Sequence, residues 1–232
     1  MKNYIYILAL LLTLTSCKKF LEPQSQTEYV PRDINSLNEL LLGNAYIDPV
    51  NQANSYFAYN EIFSDDVSFT AENCINTNNI TKYPRYKPYF AWHPNMFKIG
   101  SDNNLYPNVW KSIYQNILGC NSVLDYSDRV SGSTDDKNYV KGQALALRAF
   151  YYFQLVNLFG EPYNFNKQAL GVPLKLNSNL ETELPARATV EEVYKQISLD
   201  LDIAEASFLA LPKAKQFIKD GRVTLPMIQL MK

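Results

Sequence analysis

The chain has few of the residues on which enzymes and metal sites depend. It contains one histidine, His93, and three cysteines among 232 residues. A metal site built on two or more histidines is therefore excluded. The sequence also has no G-x-S-x-G nucleophile elbow, no P-loop and no G-x-G-x-x-G dinucleotide fingerprint. We expect no metal, no cofactor and no enzymatic activity.

An excess of positive charge is also absent. Lysine and arginine together number 22, against 23 acidic residues, for a net charge of −1. Proteins that bind nucleic acids need a basic stripe or patch, so no nucleic-acid partner is expected. The adjacent acidic pairs are interpreted as solvated helix caps, because a glycosidase needs two carboxylates that converge across a sugar. These pairs are Asp65-Asp66, Asp135-Asp136 and Glu191-Glu192.

Long apolar runs are missing except at the N-terminus. Residues 4–14, YIYILALLLTL, form an apolar run of 11 residues, whereas a membrane-spanning helix needs about 20. Lys2 precedes the run, and Leu14-Thr15-Ser16-Cys17 follows it. This layout predicts a lipoprotein signal peptide over residues 1–16 with lipidation of Cys17. An ordinary secretory signal with a coincidental cysteine, or a single spanning anchor, remains the alternative.

The residues after the signal divide into a tether and a folded region. Residues 17–32 contain two prolines and no helical periodicity, which predicts a lipid-bearing tether. Asp33 is a plausible N-cap for a short helix that ends at Gly43-Asn44. The folded region is expected to span residues 33–232.

From Tyr106 onward the apolar residues recur at helical spacing. The first stripe runs from Trp110 to Leu124, and the second runs from Val140 to Leu158, with a stop at Gly160. A third helix opens at Thr189, where Glu192 completes a capping box. A fourth begins near Thr224. No strand alternation competes with this pattern.

Paired helices of this kind predict an all-α, tetratricopeptide-like helical-repeat scaffold. The fourth helix would leave Ile228, Leu230 and Met231 with nothing after them to pack against. A helical-repeat array normally ends in a polar capping element. We therefore expect the chain to be the N-terminal part of a longer protein.

Residues 45–105 form a loop-rich insert in which helical spacing is hard to find. Loops on a rigid scaffold are where binding residues concentrate. Aromatic rings in such loops can stack on the C–H faces of sugars, so we predict a ligand site there; the alternative is that the rings pack the insert onto the helices. The candidate residues are Tyr83, Tyr86, Tyr89 and Trp92, with Phe90 in the same cluster.

Two cysteines remain after Cys17. Cys74 and Cys120 could form a disulfide, because an exported protein can retain one. Cys120, however, lies on the apolar stripe of a predicted helix. A buried, unpaired Cys120 is the favoured interpretation.

Several segments together resemble the SusD/RagB family of Bacteroidetes outer-membrane lipoproteins. The most specific is KGQALALRAFYYFQLVNLFGEPY, which is similar to the family signature G-E-A-x-x-L-R-A-x-x-Y-F-x-L-V-x-x-F-G-x-V-P. Gln143 replaces its usual acidic residue, and Glu161-Pro162 shortens its end. In chain order, the other segments are Phe20 to Pro23, Ser64-Asp65-Asp66, Trp110 to Tyr114, Cys120 to Asp125, Gly171 to Leu174 and Val190 to Ala204.

The resemblance implies a tetratricopeptide-based scaffold with an irregular ligand-binding part. It implies a surface-exposed outer-membrane lipoprotein that binds oligosaccharides and delivers them to a SusC-like TonB-dependent transporter. Family members usually run to about twice this length. A peptide-binding RagB-like protein and a helical-repeat adaptor without ligand remain alternatives. Within the long motif, Arg148 is expected to be buried and to pair with Asp125 or Asp200.

Overall fold

The computed structural model describes residues 30–47, 63–65, 68, 87–96, 109–180 and 185–232. The folded unit that contains the helices is Pro31–Lys232. Its elements in chain order are α1 (Ile34–Leu40), α2 (Val109–Ser127), α3 (Thr134–Phe159), β1 (Leu170–Pro173), β2 (Arg187–Thr189), α4 (Val190–Leu209), α5 (Lys213–Gln216) and α6 (Leu225–Met231). The predominantly helical architecture predicted from the sequence is confirmed. The strands and α5 were not predicted.

Helix α3 lies between α2 and α4 and packs against both. Its partners on α4 occur in reverse order along the chain, because Arg148 pairs with Asp200 and Phe153 contacts Tyr194. Helices α3 and α4 are therefore antiparallel. A short connection joins α2 to α3, which is typical of antiparallel neighbours in helical proteins.

The predicted apolar stripes form the core of the unit. Ile113 and Ile117 of α2, Leu155 of α3 and Leu201 of α4 are at most 2% exposed. Helix α3 is not buried on every side, because the Phe153 side chain is 45% exposed. The helix is covered by α2 and α4 but presents one flank to solvent.

The helix ends follow their capping residues. The Thr189 side chain accepts a hydrogen bond from the Glu192 backbone N–H, and the Glu192 carboxylate accepts one from the Thr189 backbone N–H, as predicted. Helix α3 begins at Thr134, six residues before its apolar stripe, because the Ser133 hydroxyl caps its first turn. Helix α3 ends before Gly160, also as predicted.

Helix α1 continues beyond its predicted end. A π-helical turn, Leu41–Ala45, follows Leu40 and includes Gly43-Asn44, where the stop was expected. The Ala45 carbonyl explains this extension, because it accepts hydrogen bonds from the Tyr151 hydroxyl at 2.5 Å and the Asn116 amide at 3.2 Å. Tertiary contacts with α2 and α3 thus override the local stop signal.

Strands β1 and β2 form a two-stranded antiparallel sheet beside the start of α4. The Arg187 guanidinium stabilises the connection by donating to the carbonyls of Gly171 at 2.6 Å and Phe159 at 2.7 Å. The latter bond satisfies a carbonyl at the end of α3 that has no partner within the helix. The strand pair is therefore attached to the end of α3.

A buried ion pair joins α3 to α4. The Arg148 guanidinium donates from Nε and Nη2 to the two carboxylate oxygens of Asp200, each at 2.7 Å. The Arg148 Nη1 donates a further hydrogen bond to the Asn121 side-chain oxygen at 2.8 Å. Asp200 is therefore the partner of Arg148. Asp125, the alternative, instead accepts two hydrogen bonds from Ser178.

None of the helices within the described part of the chain is long and apolar enough to cross a bilayer. The predicted apolar run of residues 4–14 lies outside the described residues.

Removing Arg148 should destabilise the unit strongly. Arg148→Ala leaves Asp200 buried without its partner, and breaking a buried ion pair typically costs about 3–5 kcal/mol. Urea unfolding should show this loss, whereas Lys195→Ala, in an exposed pair with Glu191, should change the free energy of unfolding by less than about 0.5 kcal/mol. Equal stability of the two variants would contradict the assigned role of the ion pair.

Gly119 marks a close approach between α2 and the turn that follows α1. A side chain at Gly119 would overlap with the backbone of Asn44, whereas one at Gly43 would meet nothing within 4 Å. Gly119→Ala should therefore lower the free energy of unfolding by about 1–3 kcal/mol. Gly43→Ala is the matched control and should leave thermal unfolding almost unchanged; similar melting temperatures for both variants would refute the close packing.

Candidate functional site

The described part of the loop-rich insert contains a compact turn at residues 87–96. One helical turn, residues 87–90, is followed by backbone hydrogen bonds from Trp92 to Tyr89 and from His93 to Pro88, at 3.0 and 2.9 Å. Trp92 has φ = +48°, which is uncommon for a residue other than glycine. The surrounding hydrogen bonds hold Trp92 at the tip of the turn.

Trp92 presents its indole ring to solvent. Its side chain is 66% exposed, and one side of the ring packs against Phe63, with centroids 4.7 Å apart and planes at 30°. Tyr89 lies beneath, 4% exposed, with its ring centroid 6.5 Å from that of Phe63. Tyr89 therefore supports the turn, and Trp92 is the ring available for contact with a ligand.

His93 has a structural role in this turn. Its Nδ1 accepts a hydrogen bond from the Asn95 backbone N–H at 3.1 Å. In the neutral ring the proton consequently lies on Nε2. His93 therefore stabilises the turn.

Of the predicted ligand-binding residues, the structure describes Tyr89 and Trp92 and places them in the same turn. Tyr83 and Tyr86 lie outside the described residues, and so do Cys17 and Cys74. The described arrangement is a supported, exposed aromatic platform. Such a platform can stack on a flat or apolar ligand face, with neighbouring polar groups setting the orientation.

The two acidic pairs within the described ranges lie in the first turns of α3 and α4, where one member of each pair bonds the N-cap residue. Asp136 accepts hydrogen bonds from the Lys215 ammonium and the Ser133 hydroxyl, and these bonds hold the pKa of its carboxyl below the usual range. Hydrogen bonds from the Thr189 backbone and side chain likewise lower the pKa of Glu192. No group of three or more histidine, cysteine or acidic side chains in the described ranges is placed to hold a metal ion.

Cys120 is a free, fully buried thiol, as the favoured interpretation predicted. Burial raises the pKa of this thiol far above its ordinary value. The protonated thiol packs as a small apolar group in the core of α2.

An apolar groove of about 250 Å³ lies where α3, α4 and α6 meet. Its walls carry aliphatic, aromatic and thioether side chains and no charged or hydrogen-bonding ones. A small-molecule site usually needs a few polar groups to orient its ligand, so this groove is a poor candidate for a sugar. Its lining residues are Ala149, Phe150, Phe153, Ile197, Leu201, Leu230 and Met231.

Comparison with known families gives a match over residues 19–219 to the SusD-like family described as "Starch-binding associating with outer membrane". The chain belongs to the SusD-like family. This match covers most of the chain and both ends of the long sequence motif. Membership of a family of binding proteins agrees with the expectation that the chain is not an enzyme.

The SusD-like chain is similar to proteins considerably longer than itself. It is 29% identical over 112 residues to SusD-like protein P2 of Formosa agariphila. The matched segment covers 48% of this chain and 21% of that protein. A candidate sugar-binding protein of Bacteroides vulgatus is 25% identical, with a TM-score of 0.62 over 88% of this chain and 42% of its own. A SusD-like carbohydrate-binding protein of the same species shares the fold, with a TM-score of 0.59 and 24% identity over 85% of this chain and 40% of its own.

Proposed function

We propose that this SusD-like chain is a surface-exposed outer-membrane lipoprotein that binds nutrient glycans and delivers them to a SusC-like TonB-dependent transporter. The observation that carries the proposal is the family match over residues 19–219. The exposed ring of Trp92 supports it, because a flat apolar surface can stack on the C–H face of a pyranose ring. Binding and transfer, without chemical change to the ligand, is the proposed activity.

The arrangement around Trp92 is suited to stacking on a sugar ring. One face of the indole is covered by Phe63, so stacking can occur on the exposed side. A supported ring loses little conformational freedom on binding, which improves affinity. A peptide ligand, as in RagB-like members, and an adaptor role without ligand are the competing functions.

Trp92→Ala should weaken glycan binding without unfolding the protein. Loss of one stacking surface, together with its buried area, should reduce affinity by about tenfold, equivalent to about 1.4 kcal/mol. Retardation in native gels containing starch, laminarin or mannan would measure the change. Phe165→Ala is the matched control, because Phe165 is also an exposed ring, at 80%, but lies outside the turn.

Tyr89→Ala distinguishes a ring that supports the turn from a ring that contacts the ligand. Because the Tyr89 ring is buried, Tyr89→Ala should lower the melting temperature, whereas Trp92→Ala should not. Binding of peptides by the wild-type protein, with no retardation by any glycan, would replace the glycan proposal with the peptide alternative. Failure to bind either class would favour the adaptor.

Lipidation of Cys17 is the proposed means of attachment. Acylation at this position, with residues 17–32 as a tether, would keep the binding unit next to the transporter while the pair opens and closes. Transfer depends on that proximity because tethering raises the local concentration of the partner.

Cys17→Ala should release the protein from membranes and abolish uptake of its ligand. Fractionation of cells, followed by detection of the protein in membrane and soluble fractions, measures the release. Ser16→Ala is the control, since it changes the neighbouring residue and keeps the acylated cysteine. Retention of the Cys17→Ala protein in the outer membrane would disprove lipid attachment at this site.

A further inference from the structure

A second aromatic surface lies on α4, away from the loop-rich insert. It forms an open cleft of about 400 Å³, which is within the range of about 300–1,000 Å³ typical of small-molecule sites. Unlike the apolar groove, the cleft combines aromatic and hydrogen-bonding side chains. Its lining residues are Tyr163, Glu191, Tyr194, Lys195, Ser198, Leu199 and Asp202.

The cleft residues of α4 share one face of that helix. Glu191, Tyr194, Ser198 and Asp202 are separated by steps of three and four, while the core stripe of α4 contains neighbours such as Val193 and Ile197. The cleft therefore lies on the flank of α4 that the core does not use. Tyr163 and Tyr194 are partly buried against the edge of the core, whereas Ser198 and Asp202 are exposed.

Neighbouring side chains hold the two tyrosine rings in place. The Tyr163 and Tyr194 centroids are 4.8 Å apart with planes at 59°, so the rings meet at an angle and line a corner. Phe153 packs its edge against Tyr194 at 6.4 Å. The Lys167 ammonium lies 4.7 Å from the Tyr163 centroid. Rings fixed before binding reduce the entropic cost of association.

The charges around the cleft are locally compensated. Glu191 is 3.6 Å from the Lys195 ammonium and accepts a hydrogen bond from the Gln168 amide at 3.0 Å. The Asp202 carboxylate lies 2.7 Å from the Lys232 ammonium. A strongly charged ligand would find no uncompensated partner here. The carboxylates retain lone pairs that can accept hydrogen bonds from hydroxyl groups.

We infer that this cleft, formed by Tyr163 and the exposed face of α4, is a second carbohydrate-binding surface that takes a neutral oligosaccharide. The tyrosine corner supplies apolar contact, and Glu191, Ser198 and Asp202 supply partners for hydroxyl groups. The inference rests on the proposed function, since it concerns the same ligand class. The residues that form the cleft all belong to this chain, although the chain spans less than half of the solved relatives.

Calorimetric titration of the full chain with maltohexaose, laminarihexaose and mannohexaose tests the inference. For the sugar that binds, Tyr163→Ala should weaken affinity about tenfold. Tyr126→Ala is the matched control. Like Tyr163, Tyr126 is partly buried and lies beside a cation, with the Arg129 guanidinium carbon 5.7 Å from its ring centroid. Hydrogen exchange on adding the sugar should slow in residues 191–202 as well as in residues 87–96.

A second variant separates loss of binding from loss of packing. Ser198→Arg introduces bulk into the cleft without removing a core contact, and it should weaken sugar binding at unchanged melting temperature. Ala206→Arg, at another exposed position of α4, should leave binding unchanged. One outcome would overturn this inference and leave the proposed function standing. In that outcome Trp92→Ala weakens sugar binding, Tyr163→Ala and Ser198→Arg do not, and hydrogen exchange does not slow in residues 191–202. Absence of binding to every sugar would overturn both.

Discussion

The buried contact between Arg148 and Asp200 is the constraint on which much of this fold depends. A guanidinium can be buried only when its donors are satisfied, and here the partners come from three different elements. Asp200 belongs to α4 and Asn121 to α2, and the carbonyl of Leu176 in the connecting segment accepts a further bond at 3.3 Å. Burial opposes the charged form of Arg148, and the bonds to Asp200 offset that effect, so its pKa remains raised. One side chain thereby fixes the relative positions of α2, α3, α4 and the segment between β1 and β2.

The same segment is held by further bonds from the long helices. The Tyr152 hydroxyl donates to the Lys175 carbonyl at 2.7 Å, and the Tyr114 hydroxyl donates to the Pro173 carbonyl at 2.6 Å. Gln143, which departs from the acidic residue of the family motif, is fully buried and accepts from the Tyr46 hydroxyl at 2.7 Å. The long motif therefore builds the scaffold. We propose ligand contact at Trp92 and along the exposed face of α4, where the last residue of the motif, Tyr163, also lines the cleft.

The long helices could be predicted because their signals are local. Apolar residues three and four apart define α2, α3 and α4, and the capping box at Thr189 marks the start of α4. The exceptions have tertiary causes. The helix after Asp33 passes Gly43 because side chains from α2 and α3 bind the Ala45 carbonyl. Strand β1 is too short for alternation to show, and it exists because β2 pairs with it.

The sequence by itself determined the family, the helical class and the burial of Arg148, because each follows from residue order along one segment. It could not choose between Asp125 and Asp200, since the two carboxylates lie on different helices and only packing decides which one meets the guanidinium. Nor could it separate Tyr89 from Trp92, which are three residues apart and chemically alike. The turn at residues 87–96 buries Tyr89 and exposes Trp92, and α4 brings Tyr194 to Tyr163 across 31 positions of sequence. Exposure and proximity are properties of the folded chain, and they decide which aromatic rings can meet a ligand.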